Sequence, residues 1–175
     1  MANDLPVSKR KTSAPASGHA GFTLVELMLT VAILGILLGI ALPNFTEMIQ
    51  NQKIRSATSD LFGALIYARS EAVKRNSSVN VVSSDTEWQS GWTVETAGGT
   101  VLKRQDPYAP LTISGPAGGS ITFGSNGRPS AASAGAAFMV YSTARPAGPA
   151  RCITLGLSGM PSISVDTDTD KTNGC

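Results

Sequence analysis

Histidine is almost missing from this chain; its one copy is His19, close to the N-terminus. That scarcity removes most catalytic and metal chemistry at once. A Ser–His–Asp relay has no base to use beyond residue 19, and no Cys–Cys or Cys–His spacing fits zinc. Cysteine is nearly as scarce, with Cys152 and Cys175 both in the last quarter. Residues 1–20 lack the apolar core of an ordinary secretory signal. The glycine-rich segment Gly115–Gly119 is not followed by the lysine–hydroxyl pair of a phosphate loop. Asp166, Asp168 and Asp170 alternate as DTDTD, but neither the turn glycine nor the distal glutamate of a calcium loop follows. They read as a solvated acidic tail. No enzyme, no metal site and no cofactor site emerges, and no solenoid repeat is present.

Charge is also in short supply where it would matter. The formal charge is +2, and residues 1–21 supply it with Lys9, Arg10 and Lys11 against Asp4. Without that leader the chain is neutral, so bulk attraction to nucleic acid or anionic lipid is not expected of the remainder.

What the sequence does have is one long apolar run, GFTLVELMLTVAILGILLGIALP, from Gly21 to Pro43. From Phe22 to Leu42 it covers about 31 Å at ~1.5 Å per residue, enough to cross the hydrocarbon core of a bilayer. The basic cluster Lys9-Arg10-Lys11 then predicts a cytoplasmic N-terminus and an exported C-terminus. Within the run stands a carboxylate, Glu26. A charge there costs roughly 2.5–3.5 kcal/mol on insertion scales. A passive anchor gains nothing from it, so Glu26 is a candidate functional residue. Gly35 and Gly39 have the spacing that permits close helix approach, although simple weakening of the helix fits them equally well. Pro43 lacks a backbone donor and is expected to kink or locally open the helix. With an export segment upstream, Cys152 and Cys175 read as one disulfide in an oxidising compartment, closing about 24 residues for on the order of 3 kcal/mol; two unrelated thiols are the alternative.

The junction GFTLVEL resembles the class III leader of type IV pilins and type II secretion pseudopilins. That resemblance implies cleavage by a prepilin peptidase after Gly21 and N-methylation of Phe22. It also implies a role for Glu26 in subunit register: its carboxylate, stranded in lipid, is neutralised by the N-terminal amine of Phe22 on a neighbouring subunit. By the same resemblance the stretch from Gly35 to Pro43 is a candidate for melting and extension on assembly.

Beyond Pro43 the pattern becomes amphipathic. Ile54, Ala57, Leu61, Leu65, Ala68 and Ala72 recur at three- and four-residue steps and make one apolar stripe. Glu71 and Arg75 form an i,i+4 pair, and the helix is expected to fray at Asn76-Ser77-Ser78. From Val79 onward short alternating runs are separated by Gly, Pro, Ser and Asn. Strands are predicted at Val79–Ser83, Gly91–Glu95, Val101–Gln105, Leu111–Ser114, Ser120–Phe123, Ala137–Ser142, Cys152–Leu157 and Ser162–Val165. Turns are predicted at Ala97–Gly99 and Gly124–Gly127. Trp88 and Trp92 are expected to bury their rings in the sheet.

The segments Tyr67–Asn76, Trp88–Trp92 and Ile121–Gly127 are similar to the GspH/FimT/FimU branch of pilin-like proteins. The implied fold class is α+β, a long N-terminal helix, membrane-spanning in its first half, packed against a two-sheet antiparallel head. Four parts are expected: a leader at 1–21, a membrane or filament-core helix at 22–42, its amphipathic continuation at 43–76 and a periplasmic head at 77–175. The implied function is that of a minor type IV pilin in a tip complex, made in the bacterial inner membrane and added to a pilus. Its implied partners are other pilins, the prepilin peptidase and the inner membrane. A type II secretion minor pseudopilin is the alternative. A DNA-binding minor pilin is a second one, but the resemblance places that function on a glycine–arginine–any–arginine stretch. Here the matching residues are Gly159-Met160-Pro161-Ser162, with neither arginine. Arg128, Arg145 and Arg151 remain as a possible cationic patch.

Overall fold

The computed structural model describes residues 21–145, 148–166, 170, 171 and 175, and for 41–44 the backbone alone. A single helix, α1 (Leu24–Arg75), runs for 52 residues. Its start is set by Thr23, whose Oγ1 accepts from the backbone N–H of Glu26 at 3.2 Å. That is one half of a capping box, with Glu26 as the acid in the first turn. Its end is a Schellman motif, in which Ser77 N donates to Ala72 O and Asn76 N to Val73 O, both at 3.2 Å. Asn76 takes the left-handed conformation at φ 48°, which asparagine tolerates better than most residues. The helix assignment continues through Pro43, and the chain divides into two compact units between Leu42 and Pro43.

In the first unit the described large apolar side chains from Phe22 to Ile40 are between 49% and 79% exposed. The helix is long and apolar enough to cross a membrane by length and composition.

In the second unit eight strands make two antiparallel sheets. β1 (Val79–Ser83), β2 (Trp92–Thr96), β3 (Val101–Gln105) and β5 (Ser120–Phe123) form one, in the order β3-β2-β1-β5. β4 (Leu111–Ser114), β6 (Ala137–Ser142), β7 (Ala150–Leu155) and β8 (Pro161–Asp166) form the other, in the order β4-β6-β7-β8. The predicted apolar stripe of α1 is the buried one: Ala57, Leu61, Leu65, Ala68 and Ala72 are fully buried, with Ala64 added between them. They share one core with Val79, Val81, Trp92, Ile121 and Phe123 of the first sheet and Phe138, Val140, Ile153 and Leu155 of the second. Each large aliphatic side chain withdrawn this way contributes about 1.5–3 kcal/mol.

Three strands differ in their limits from expectation, β8 by one residue at each end. β2 begins at Trp92 because Gly91 has φ 94°, and a Cβ there would sit 2.3 Å from Gln105 O. β7 spans Ala150–Leu155 because Gly156 and Gly159 close a tight turn that takes Leu157 out of the sheet. The turn Gly124–Gly127 closes by a 2.8 Å bond from Gly127 N to Gly124 O and returns the chain to pair Phe123 with Pro129.

Candidate functional site

Gly21, Phe22 and Thr23 precede the first helical residue and are all exposed. The Gly21–Phe22 peptide therefore lies in non-helical chain just ahead of α1. Phe22 is 79% exposed. Four residues on, Glu26 sits in the first turn of α1 with an exposed side chain. Around it Leu24, Val25, Leu27, Met28 and Leu29 are 60–74% exposed, so the carboxylate stands in a continuous apolar surface. Sequence reading passed over Thr23, although Thr-x-x-Glu ahead of an apolar run is a legible capping signal. Glu26 thus holds two places at once, a helix-start acid and the charge inside the apolar run.

Gly35 and Gly39 lie one turn apart and are exposed. A Cβ built on either would meet nothing within 4 Å among the described residues. A helical glycine costs roughly 1 kcal/mol against alanine, and no contact within the described chain requires the smaller residue. The side chain of Pro43 lies outside the described residues, as do Lys9, Arg10, Lys11, His19 and Asp168.

The remaining sequence candidates separate into structural parts. Cys152 and Cys175 are joined in a disulfide with Cα atoms 5.7 Å apart. Cys152 sits on the sheet face away from α1, among Met139 and Ala150, so the bond fastens the C-terminus over that face. Asp166 is not a solvated acid. It ends β8 and pairs with Lys171 at 3.1 Å, with both side chains largely buried. No cluster of metal-binding side chains occurs among the described residues.

Trp92 lies in β2, buried, and stacks on Tyr108 at 5.9 Å. Trp88 is buried too, but in a short 3₁₀ turn rather than a strand, edge-on to Phe138 of the other sheet at 4.8 Å. It plugs the seam between the sheets, and its Nε1 has no hydrogen-bond partner among the described residues. Gly115 closes over it: a Cβ there would come within 2.6 Å of Trp88 Nε1 and 2.7 Å of Phe138 Cδ1. The glycine-rich segment therefore serves packing.

The Tyr108 hydroxyl donates to Asp60 of α1, and burial, aided by that carboxylate, holds the phenol well above its ordinary pKa. Glu71 is buried at the far end of α1, with Arg75 Nε at 2.6 Å and Lys74 Nζ at 3.3 Å. The Arg75 hydrogen bond holds its carboxyl below the ordinary range against the opposing pull of burial.

The three arginines considered as a cationic patch have separate roles. Arg145 pairs with Glu47 at 3.3 Å, Arg128 Nε donates to Leu157 O at 3.3 Å, and Arg151 lines a groove with Arg55. The Gly159–Ser162 segment is the β7–β8 turn and the start of β8. It carries no arginine of its own, yet the fold brings Arg69 from α1 to Met160 and Arg128 to Leu157.

The family model described as Type II transport protein GspH matches residues 57–159, more than half of the chain. The model of the prokaryotic N-terminal methylation motif matches residues 17–42. Two curated relatives called Fimbrial protein, from Pseudomonas aeruginosa, are 35% identical over 78 residues, 43% of this chain and 50% of theirs. The type IV major pilin protein PilA of Myxococcus xanthus is 49% identical over 43 residues, 25% of this chain and 20% of its own. The chain thus spans half or less of the curated relatives it matches. Two crystal structures of the type IV minor pilin FimU of P. aeruginosa share the fold at 23% identity. Their TM-scores are 0.58 and 0.56, covering 72% and 66% of this chain and 99% of each FimU chain.

Proposed function

The chain belongs to the GspH family, and from that premise we propose that it is a minor type IV pilin of the FimU kind, held in the inner membrane and then built into a pilus beside other pilins. In this reading a prepilin peptidase removes residues 1–21, and Phe22 becomes the N-methylated first residue. Residues 22–42 anchor the protein and later line the filament core, and the head from 77 onward stands on the periplasmic side. The observation that carries the reading is Glu26, the one charge among exposed apolar side chains on a helix long enough to span a bilayer.

The physics of assembly follows from that carboxylate. In lipid it costs about 2.5–3.5 kcal/mol on insertion scales. The freed amine of Phe22 on an adjacent subunit offers the opposite charge, so docking at the right height removes a penalty that docking one turn away leaves in place. Gly35 and Gly39 let the neighbouring helix come close. A place in a tip complex suits a head tied together by a disulfide and by a core shared between α1 and both sheets.

A type II secretion pseudopilin is the second reading, favoured by the description of the matching family model. Deleting the gene separates the two: loss of surface pili with secretion intact supports the pilin, and the converse supports the pseudopilin. The processing claim has its own test. N-terminal sequencing of the membrane-bound protein should begin at Phe22 in cells with prepilin peptidase and at Met1 in cells without it. A Met1 start in both would overturn the proposal.

A further inference from the structure

One flank of the head carries four arginines, Arg55, Arg69, Arg128 and Arg151, with no carboxylate partner among the described residues, while its acids Glu47 and Asp166 are held by Arg145 and Lys171. β8 is the outer strand of its sheet, and its register with β7 sets Ile163 opposite the buried Ile153 and Val165 opposite Arg151. Ile163 and Val165 thus lie on the core-facing side of the sheet, yet they are 41% and 53% exposed. Val165 walls a groove of about 220 Å³ that is floored by Ile54 and flanked by Arg55 and Arg151. At the other end of β8, Leu157 and Met160 are 68% and 49% exposed beside Arg128 and Arg69. Lys74, Arg75, Arg145 and Lys171 each have a carboxylate partner. Among the described residues, none of the four arginines along β8 has one. The first sheet's outer strand β3 is different: it displays Lys103 and Arg104, the usual guard against pairing with another chain. β8, with the sequence PSISVD, has no cation of its own.

We propose that this β8 flank is a docking surface for the head of a different, neighbouring pilin-like subunit, which meets it through an apolar segment carrying Asp or Glu. The inference rests on the reading that the chain assembles beside other pilins. Arginine set around a desolvated apolar centre is the composition of protein interfaces. Nucleic acid would be drawn by the cations alone and has no use for the apolar stripe between them. A second copy of this chain fits poorly: Glu47, the exposed acid beside Phe45 and Met48, is already held by Arg145 at 3.3 Å, and Asp85, Glu87 and Asp106 stand in polar segments.

The test uses the full chain in cells where it replaces the native gene, with a photoreactive phenylalanine analogue placed in turn at Val165, Lys103 and Leu27. Adducts are mapped by mass spectrometry. At Val165 the adduct should map to an acid-bearing head segment of another pilin-like subunit and fall at least tenfold in the Arg55→Glu/Arg151→Glu double variant. The Arg55→Lys/Arg151→Lys variant should keep most of it, and Lys103 should give none. Leu27 reports helix-to-helix assembly. If Leu27 forms adducts with other pilins while Val165 captures nothing, DNA, lipid or a second copy of the chain, the docking surface is wrong and assembly stands. If Leu27 forms none, the assembly reading falls and the docking surface with it.

Discussion

At the scale of single residues, two glutamates on one helix are held by different means. Glu26 is exposed in an apolar setting and has no cation nearby in its own chain among the described residues. Glu71 is buried and satisfied by Arg75 and Lys74. Replacing Glu26 with alanine should leave cleavage after Gly21 intact, because the cut site is untouched. The amount of protein recovered in sheared filaments should drop severalfold, as an immunoblot of sheared and cell fractions would show. Equal recovery would contradict a register role. For Glu71 the sign follows from its lowered pKa. The ionised form stabilises the fold above the ordinary carboxylate range, and that contribution is lost as pH falls through it toward the lowered value. Thermal melts of wild type and Glu71→Gln should therefore differ most at neutral pH and converge as pH falls through and below the ordinary carboxylate range. A constant gap across that range would show that the ion pair is not the cause.

At the scale of elements, α1 is two helices by environment and one by backbone. Its first part exposes every large apolar side chain described, and its second part buries a stripe of small and medium residues against both sheets. Alanine at positions 57, 64, 68 and 72 leaves room for the sheet side chains to meet the helix backbone. The two sheets in turn are keyed by the Trp88 turn, which inserts an indole against Phe138 under Gly115. Gly115→Ala would place a methyl group among rigid ring atoms. A loss of about 1–3 kcal/mol is expected from such overpacking, measurable as a lower urea midpoint with an unchanged slope. A neutral result would mean that the seam yields more easily than its ring contacts imply.

At the scale of the whole molecule, the disulfide is the only covalent tie between distant parts of the head. It joins Cys152 of β7 to Cys175 across a separation of 23 residues. In the chain-entropy picture, removing it costs about 3 kcal/mol. The Cys152→Ser/Cys175→Ser variant should accordingly melt earlier and lose its C-terminal residues to protease first, while its N-terminal processing stays normal. Retention of the wild-type melting temperature would remove the bond from the account of stability.

Much of this architecture was legible before any coordinates, for a physical reason. Apolar periodicity is a local property, so the bilayer-length run, the helical stripe from Ile54 to Ala72 and most strand limits can be read from neighbours along the chain. Glu26 was legible in the same way, as a charge where the local solvent is hydrocarbon. Contacts between residues far apart were not. Nothing local says that Trp88 leaves the sheet to seal a seam, that Asp166 finds Lys171 rather than water, or that Arg69 and Arg128 arrive at a turn containing no arginine. Sequence by itself determined which segments seek oil and which seek water. Tertiary structure decided which charges are left unanswered on the surface, because pairing depends on distances that only the folded chain brings about.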